Sequence, residues 1–142
     1  MFDSRGVDHK GAAEFVLAQD LGPEDLVLAM DTQQQSYYLG SRMDYYLLSL
    51  NETWNSTFLR DGRMVSLYSG TPQISTGKEL ATVLNAPEDR QVLIVGSGEL
   101  AKNPSRYLGD GILETMREFR FMEVYEGRDG ATKVWRAIQR SK

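Results

Sequence analysis

The chain has 142 residues, a length that suits one domain with a core of its own. Sixteen basic and twenty acidic residues leave a formal charge of −4, and no Lys/Arg run could track a phosphate backbone, which argues against nucleic acid as a partner. With no cysteine and one histidine, disulfides, thiolate metal sites and a cysteine nucleophile are excluded, and any His-based cluster or triad would have to use His9.

The composition, 41% apolar and 25% charged, is that of a globular protein. No apolar run approaches the roughly 18–20 residues needed to span a bilayer. The opening MFDSRGVDHKG is polar and does not read as a signal peptide. The polypeptide as given therefore reads as soluble and as a single α/β domain over residues 1–142.

The first elements are helix, turn and strand. Asp8 is a plausible N-cap, and Ala12, Ala13, Phe15, Val16 and Leu17 supply an apolar helical face. Gly22-Pro23 is expected to stop that helix. Leu26 to Met30 is almost wholly apolar and closes on Asp31, the pattern of a strand covered on both faces. TQQQSYYLG has room for about two helical turns, with Gly40 as a C-cap. DYYLLSL reads as the second strand. In TFLRDGRMVSLYSG, Asp61-Gly62 between two β-prone runs predicts a hairpin, with an irregular segment as the alternative.

The helix-turn-strand order then repeats. Ser75 or Thr76 can cap a helix, Glu79 is placed for a capping box, and Leu80, Val83 and Leu84 form its buried stripe. Val92 to Val95 is the most hydrophobic strand candidate. A helix follows with Ile112, Leu113, Met116 and Phe119 on one side. Two alternating strands around Asp129-Gly130 end the chain, and the last has the pattern of a sheet edge region. The whole predicts α/β: a small Rossmann-like three-layer sandwich, mainly parallel, with a C-terminal antiparallel hairpin. The segments at 26–30 and 92–95 are expected side by side and parallel.

Ligands of open α/β sheets bind outside the carboxyl ends of the strands. Asp31, Asn51, Ser97 and Glu99 are the residues expected on that rim, with Glu52 as an alternative to Asn51, and they suit a polar ligand such as a sugar or a divalent ion. The competing reading of Asp31 is the cap of the next helix. Gly96-Ser97-Gly98 follows a strand, as a phosphate-binding turn does. It lacks the third glycine of the dinucleotide fingerprint and the Lys-Ser/Thr of a P-loop, so it reads as a tight turn. Asp44 is an obvious acid/base partner for Asp31. In a strand-helix-parallel strand unit the two sit at opposite rims, roughly 15 Å or more apart at ~3.3 Å per residue. Glycosidic chemistry by two carboxylates needs about 5–9.5 Å. No catalytic residue, metal site or cofactor is assigned.

The tyrosine pairs Tyr37-Tyr38 and Tyr45-Tyr46 raise the possibility of a sugar-stacking platform. Neighbours on a strand face opposite ways and neighbours on a helix diverge by about 100°, so these rings read instead as packing between helix and sheet. His9, at a helix start, reads as solvent-exposed. Asn51-Glu52-Thr53 and Asn55-Ser56-Thr57 match the glycosylation acceptor pattern.

EDLVLAMD and YYLGSRMDYYL, followed by DRQVLIVGSGEL and FRFMEVYEGRDGATKVWR, resemble the soluble extracytoplasmic tail of membrane glycosyltransferases of the protein-mannosyltransferase and aminoarabinose-transferase type. Residues 25–48 carry the distinctive part. The resemblance implies a non-catalytic accessory domain on the extracytoplasmic face of a membrane. Its partner would be its own membrane-embedded transferase domain, which uses a lipid-linked sugar such as a polyprenyl-phosphate-sugar. The acidic residues that perform transfer in that family lie in the membrane part and have no counterpart here. Two other readings remain: a stand-alone nucleotide- or cofactor-binding enzyme, and a non-catalytic interaction module.

Overall fold

A computed structural model describes residues 9–30, 38–39, 42–47, 57–60, 63–66, 72–74, 76–85, 90–96, 111–128, 130 and 132–139. The fold is mixed α/β. Its elements in chain order are α1 (His9–Leu17), β1 (Leu26–Ala29), β2 (Tyr45–Leu47), β3 (Thr57–Arg60), β4 (Arg63–Ser66), β5 (Gln73–Ile74), α2 (Gly77–Leu84), β6 (Arg90–Gly96), α3 (Ile112–Glu118), β7 (Met122–Glu126) and β8 (Lys133–Gln139).

Six strands form one sheet in the order β5-β2-β1-β6-β8-β7, while β3 and β4 form a separate two-stranded ladder. β5, β2, β1 and β6 run parallel. β8 is antiparallel to both β6 and β7. The two strands expected to neighbour one another do so: Leu26 to Ala29 pair in register with Val92 to Val95.

Both faces of this sheet are buried, which explains why its central strands are apolar without alternation. On one face Leu28, Met30, Val92 and Ile94 pack with Leu80 and Leu84 of α2 and Ile112 and Met116 of α3. On the other, Val27, Ala29, Leu93 and Val95 pack with Ala12, Ala13 and Val16 of α1. Small alanines on α1 let the helix lie close to the strands. Each fully buried Leu, Ile or Val side chain contributes about 1.5–3 kcal/mol relative to exposure.

Local chemistry sets the element boundaries. Thr76, in extended backbone, accepts the Glu79 amide at 3.1 Å and so caps α2. The Arg90 guanidinium donates to the Val83 carbonyl and ties the last turn of α2 to the start of β6. Gly111 (φ +83°) precedes α3, and Gly130 (φ +73°) sits in the β7–β8 connection, where a Cβ would be strained.

Two expectations change. α1 ends at Leu17 rather than at Gly22-Pro23, and Leu17 is 51% exposed instead of joining the apolar face. β8 is an interior strand; the sheet edge is β7. Its alternating pattern misled because Lys133 and Arg136 are half-buried while Val134 and Ala137 are buried. The two strands expected on either side of Asp61-Gly62 form an antiparallel pair, apart from the six-stranded sheet.

Candidate functional site

With the separate ladder set aside, the parallel strands β1, β2, β5 and β6 stand in the order third, second, first, fourth. The chain moves from β1 outward to β2 and β5, then returns to the other side of β1 as β6. The order therefore reverses between β1 and β6, the place in an open α/β sheet where ligands are generally bound. Past β1 the pairing continues, with the Met30 amide donating to the Val95 carbonyl at 2.8 Å.

The floor of this rim is close-packed. A Cβ on Gly96 would fall 2.6 Å from Met30 Sδ and 2.9 Å from the Trp135 ring, so glycine here lets two large side chains meet over the strand end. Gly96 is the last residue of β6 and pairs with Lys133, and the rest of the expected turn, Ser97 and Gly98, lies outside the described residues. Opposite it, Lys133 Nζ lies 2.9 Å from Glu123 Oε1. Its ammonium is held above the ordinary lysine pKa, chiefly by that hydrogen bond, against a smaller opposing effect of desolvation.

Two helices begin beside each other near this rim. α2 starts shortly after β5 ends, and its first residue, Gly77, touches the Gly111 carbonyl just before α3. The buried Thr115 hydroxyl donates to the Gly77 carbonyl at 3.2 Å and fixes the contact.

Asp31 follows Met30 in the chain, and Ser97 and Glu99 follow Gly96, so three of the four expected ligand contacts come next after the two strands that flank the reversal. Asp31, Asn51, Ser97 and Glu99 themselves lie outside the described residues, as do both sequon asparagines and Gly98. Among the described residues, no group of three or more His, Cys, Asp or Glu side chains could hold a metal ion.

Asp44 is placed at the opposite rim, before β2 and beside Val27. Its Oδ2 accepts the Val27 amide at 2.9 Å and Arg42 Nη1 at 3.0 Å. Arg42 Nη2 donates to the Gly22 and Asp25 carbonyls at 3.2 and 2.7 Å. Asp25 in turn accepts the Gln91 amide at 2.8 Å through Oδ1 and the Gly22 amide at 2.8 Å through Oδ2. This network binds the starts of β1, β2 and β6 together. Sequence reasoning missed the roles of Asp25 and Arg42; the available signal was an acidic residue immediately before each of two strands, where backbone amides need acceptors.

Tyr38 and Tyr45 take the packing role expected of them, and the side chain of Tyr46 lies outside the described residues. Tyr38 packs against the core on the α1 side, and Tyr45 against the core on the α2–α3 side. Tyr37 lies outside the described residues.

Comparison with protein-family models, with curated proteins and with solved structures returned no match. No helix among the described residues is long and apolar enough to cross a membrane. Function is therefore argued from the residues and their placement.

Proposed function

We propose that this is the accessory extracytoplasmic domain of a membrane glycosyltransferase, a Rossmann-like three-layer domain that helps bind acceptor or sugar rather than catalysing transfer. The observation that carries the reading is the parallel pairing of β1 with β6 at the point where the strand order reverses. It supports a shared ligand rim for Asp31, Ser97 and Glu99, with Asn51 after β2. Asp44 supports the non-catalytic part. It sits opposite Val27, four residues before Asp31, or about 13 Å at ~3.3 Å per residue. That exceeds the carboxylate separation of glycosidic chemistry, and its charge is committed to Arg42 and the Val27 amide. The resemblance in residues 25–48 supplies the lipid-linked sugar donor and the membrane-embedded partner.

The test is amide chemical-shift mapping of the isotopically labelled chain with sugar phosphates and short polyprenyl-phosphate-sugars. Shifts at Met30, Val95 and Gly96, abolished by Asp31→Ala with Glu99→Ala, are expected. Shifts confined to the Asp25–Asp44 rim, or none with any of these compounds, would overturn the proposal.

A second reading, a stand-alone nucleotide- or cofactor-binding enzyme, is favoured by the same strand order, which is that of doubly wound dinucleotide folds. Calorimetry with nucleotides, dinucleotides and S-adenosylmethionine separates the two: saturable heat with one of these selects the second reading, and flat titrations beside sugar-phosphate shifts select the first.

A further inference from the structure

Trp135 pairs with Ile94 from β8, the strand beside β6. It packs against the core on the α2–α3 side, yet it is only half-buried. The Cζ3–Cη2 edge of its ring reaches to the carboxyl end of β6: a Cβ on Gly96 would stand 2.9 and 3.2 Å from these two atoms. Among the described residues nothing accepts a hydrogen bond from the indole N–H, a donor that tryptophans usually satisfy on burial. Residues two apart on a strand share a face, so Lys133 stands on the same side of β8 as Trp135, at the level of Gly96. Glu123, in register with Trp135 on β7, places its carboxylate 2.9 Å from the Lys133 ammonium. Both side chains of this ion pair stay partly exposed.

We propose that Trp135, Lys133 and Glu123 form a sugar-contacting wall beside the carboxyl end of β6, and that the ligand class it takes is a pyranose with free hydroxyls. The inference rests on the rim reading above and names the ligand for it. A pyranose has an apolar C–H face and a periphery of hydroxyls. The indole offers apolar area with one donor at its edge, and a small-molecule site commonly joins such an aromatic wall to a few placed polar groups. The ammonium has further hydrogens to donate and the carboxylate has further lone pairs to accept, so two neighbouring hydroxyls can satisfy both without parting the pair. A simple anion fits less well, because Glu123 already answers the ammonium and Glu126 stands opposite Lys133 in the ladder. The stacking aromatic is then Trp135 rather than the tyrosines, of which Tyr38 and Tyr45 are divided between the two sides of the sheet.

The indole N–H resonance of Trp135 in the isotopically labelled full chain tests it. The chain has two tryptophans, and Trp135→Phe identifies the signal by its loss. Methyl glycosides of glucose, galactose and mannose are titrated in, with inorganic phosphate as the control. At least one glycoside is expected to shift the resonance saturably, and phosphate is expected to leave it in place. Lys133→Met keeps the aliphatic stem and should weaken that binding about ten- to a hundredfold, as loss of a charged hydrogen bond does. Trp135→Phe, followed at the Gly96 amide, should weaken it about three- to tenfold for one neutral hydrogen bond. A packing role alone predicts neither loss, and Lys133→Met leaves the indole in place should the ring substitution disturb the core. Shifts at Met30 and Val95 with sugar phosphates, beside a Trp135 resonance that stays still, would overturn this inference and leave the rim reading standing. Silence at all of these positions would overturn both. An equal response to inorganic phosphate, or an unchanged affinity in Lys133→Met, would overturn the sugar-contacting wall alone.

Discussion

Asp44 receives the Val27 amide and the Arg42 guanidinium on one oxygen, and Arg42 in turn holds two carbonyls of the segment before β1. Asp44→Ala leaves an amide without its acceptor and a guanidinium without its counter-charge. The side chains are partly exposed, at 30% for Asp44 and 25% for Arg42, so water recovers some of the loss. A destabilisation of about 2 kcal/mol is expected from a denaturant midpoint at unchanged m-value, with ligand binding at the opposite rim retained. Glycines give a second residue-scale contrast. A Cβ at Gly96 meets side-chain atoms, Met30 Sδ and the edge of the Trp135 ring, whereas one at Gly77 collides with the Gly111 backbone. Gly96→Ala is expected to cost about 1 kcal/mol and Gly77→Ala about 3 kcal/mol, measured in the same way.

Single hydrogen bonds also decide where elements begin and how the sheet edge is held. Thr76→Ala removes the acceptor of the Glu79 amide and should cost α2 about 1 kcal/mol, while Thr76→Ser should restore most of it in a thermal melt. At the edge, β7 carries a register shift between Glu123 and Tyr125, and exposed acidic residues, both of which discourage pairing with another strand. Glu123 also raises the pKa of Lys133 above 10.5 in the folded chain. A raised folded pKa stabilises fully below the unfolded value and loses its effect as pH climbs through the folded one. The stability gap between wild type and Glu123→Gln should therefore stay level from neutral pH to about 10 and close above that range. A gap that instead changed between pH 5 and 8 would assign the pair a different role.

Across the whole molecule, the features readable in the sequence were those that burial writes into composition. LVLA and VLIV had to be covered on both faces, and that alone led to adjacent parallel strands with helices around them. The position of β8 was not readable, because alternation records how many faces are covered and not which strands lie to either side. The Asp25–Arg42–Asp44 network was hidden for a related reason: its partners are backbone amides and carbonyls, which leave no mark on residue choice beyond the acidic residues themselves. β8 pairs with β6 along its whole length, from Arg90–Gln139 to Gly96–Lys133, and Val134 closes the α1-side core. Deleting residues 121–142 would strip β6 of that ladder and open Val92 to Val95 to water. The truncated chain is expected to lose its cooperative melt and to bind a hydrophobic dye while keeping helical signal. Replacing residues 57–66 by a flexible linker removes only the separate β3–β4 ladder and its contact with β5. That variant should still melt cooperatively, lowered by about 2–4 °C for each kcal/mol lost. If instead the truncated chain melts cooperatively and the linker variant does not, stability is organised around β3–β4 and β5 rather than around β1, β6 and β8. The carboxyl ends of β1 and β6 would then lack the rigid support that the proposed ligand rim requires.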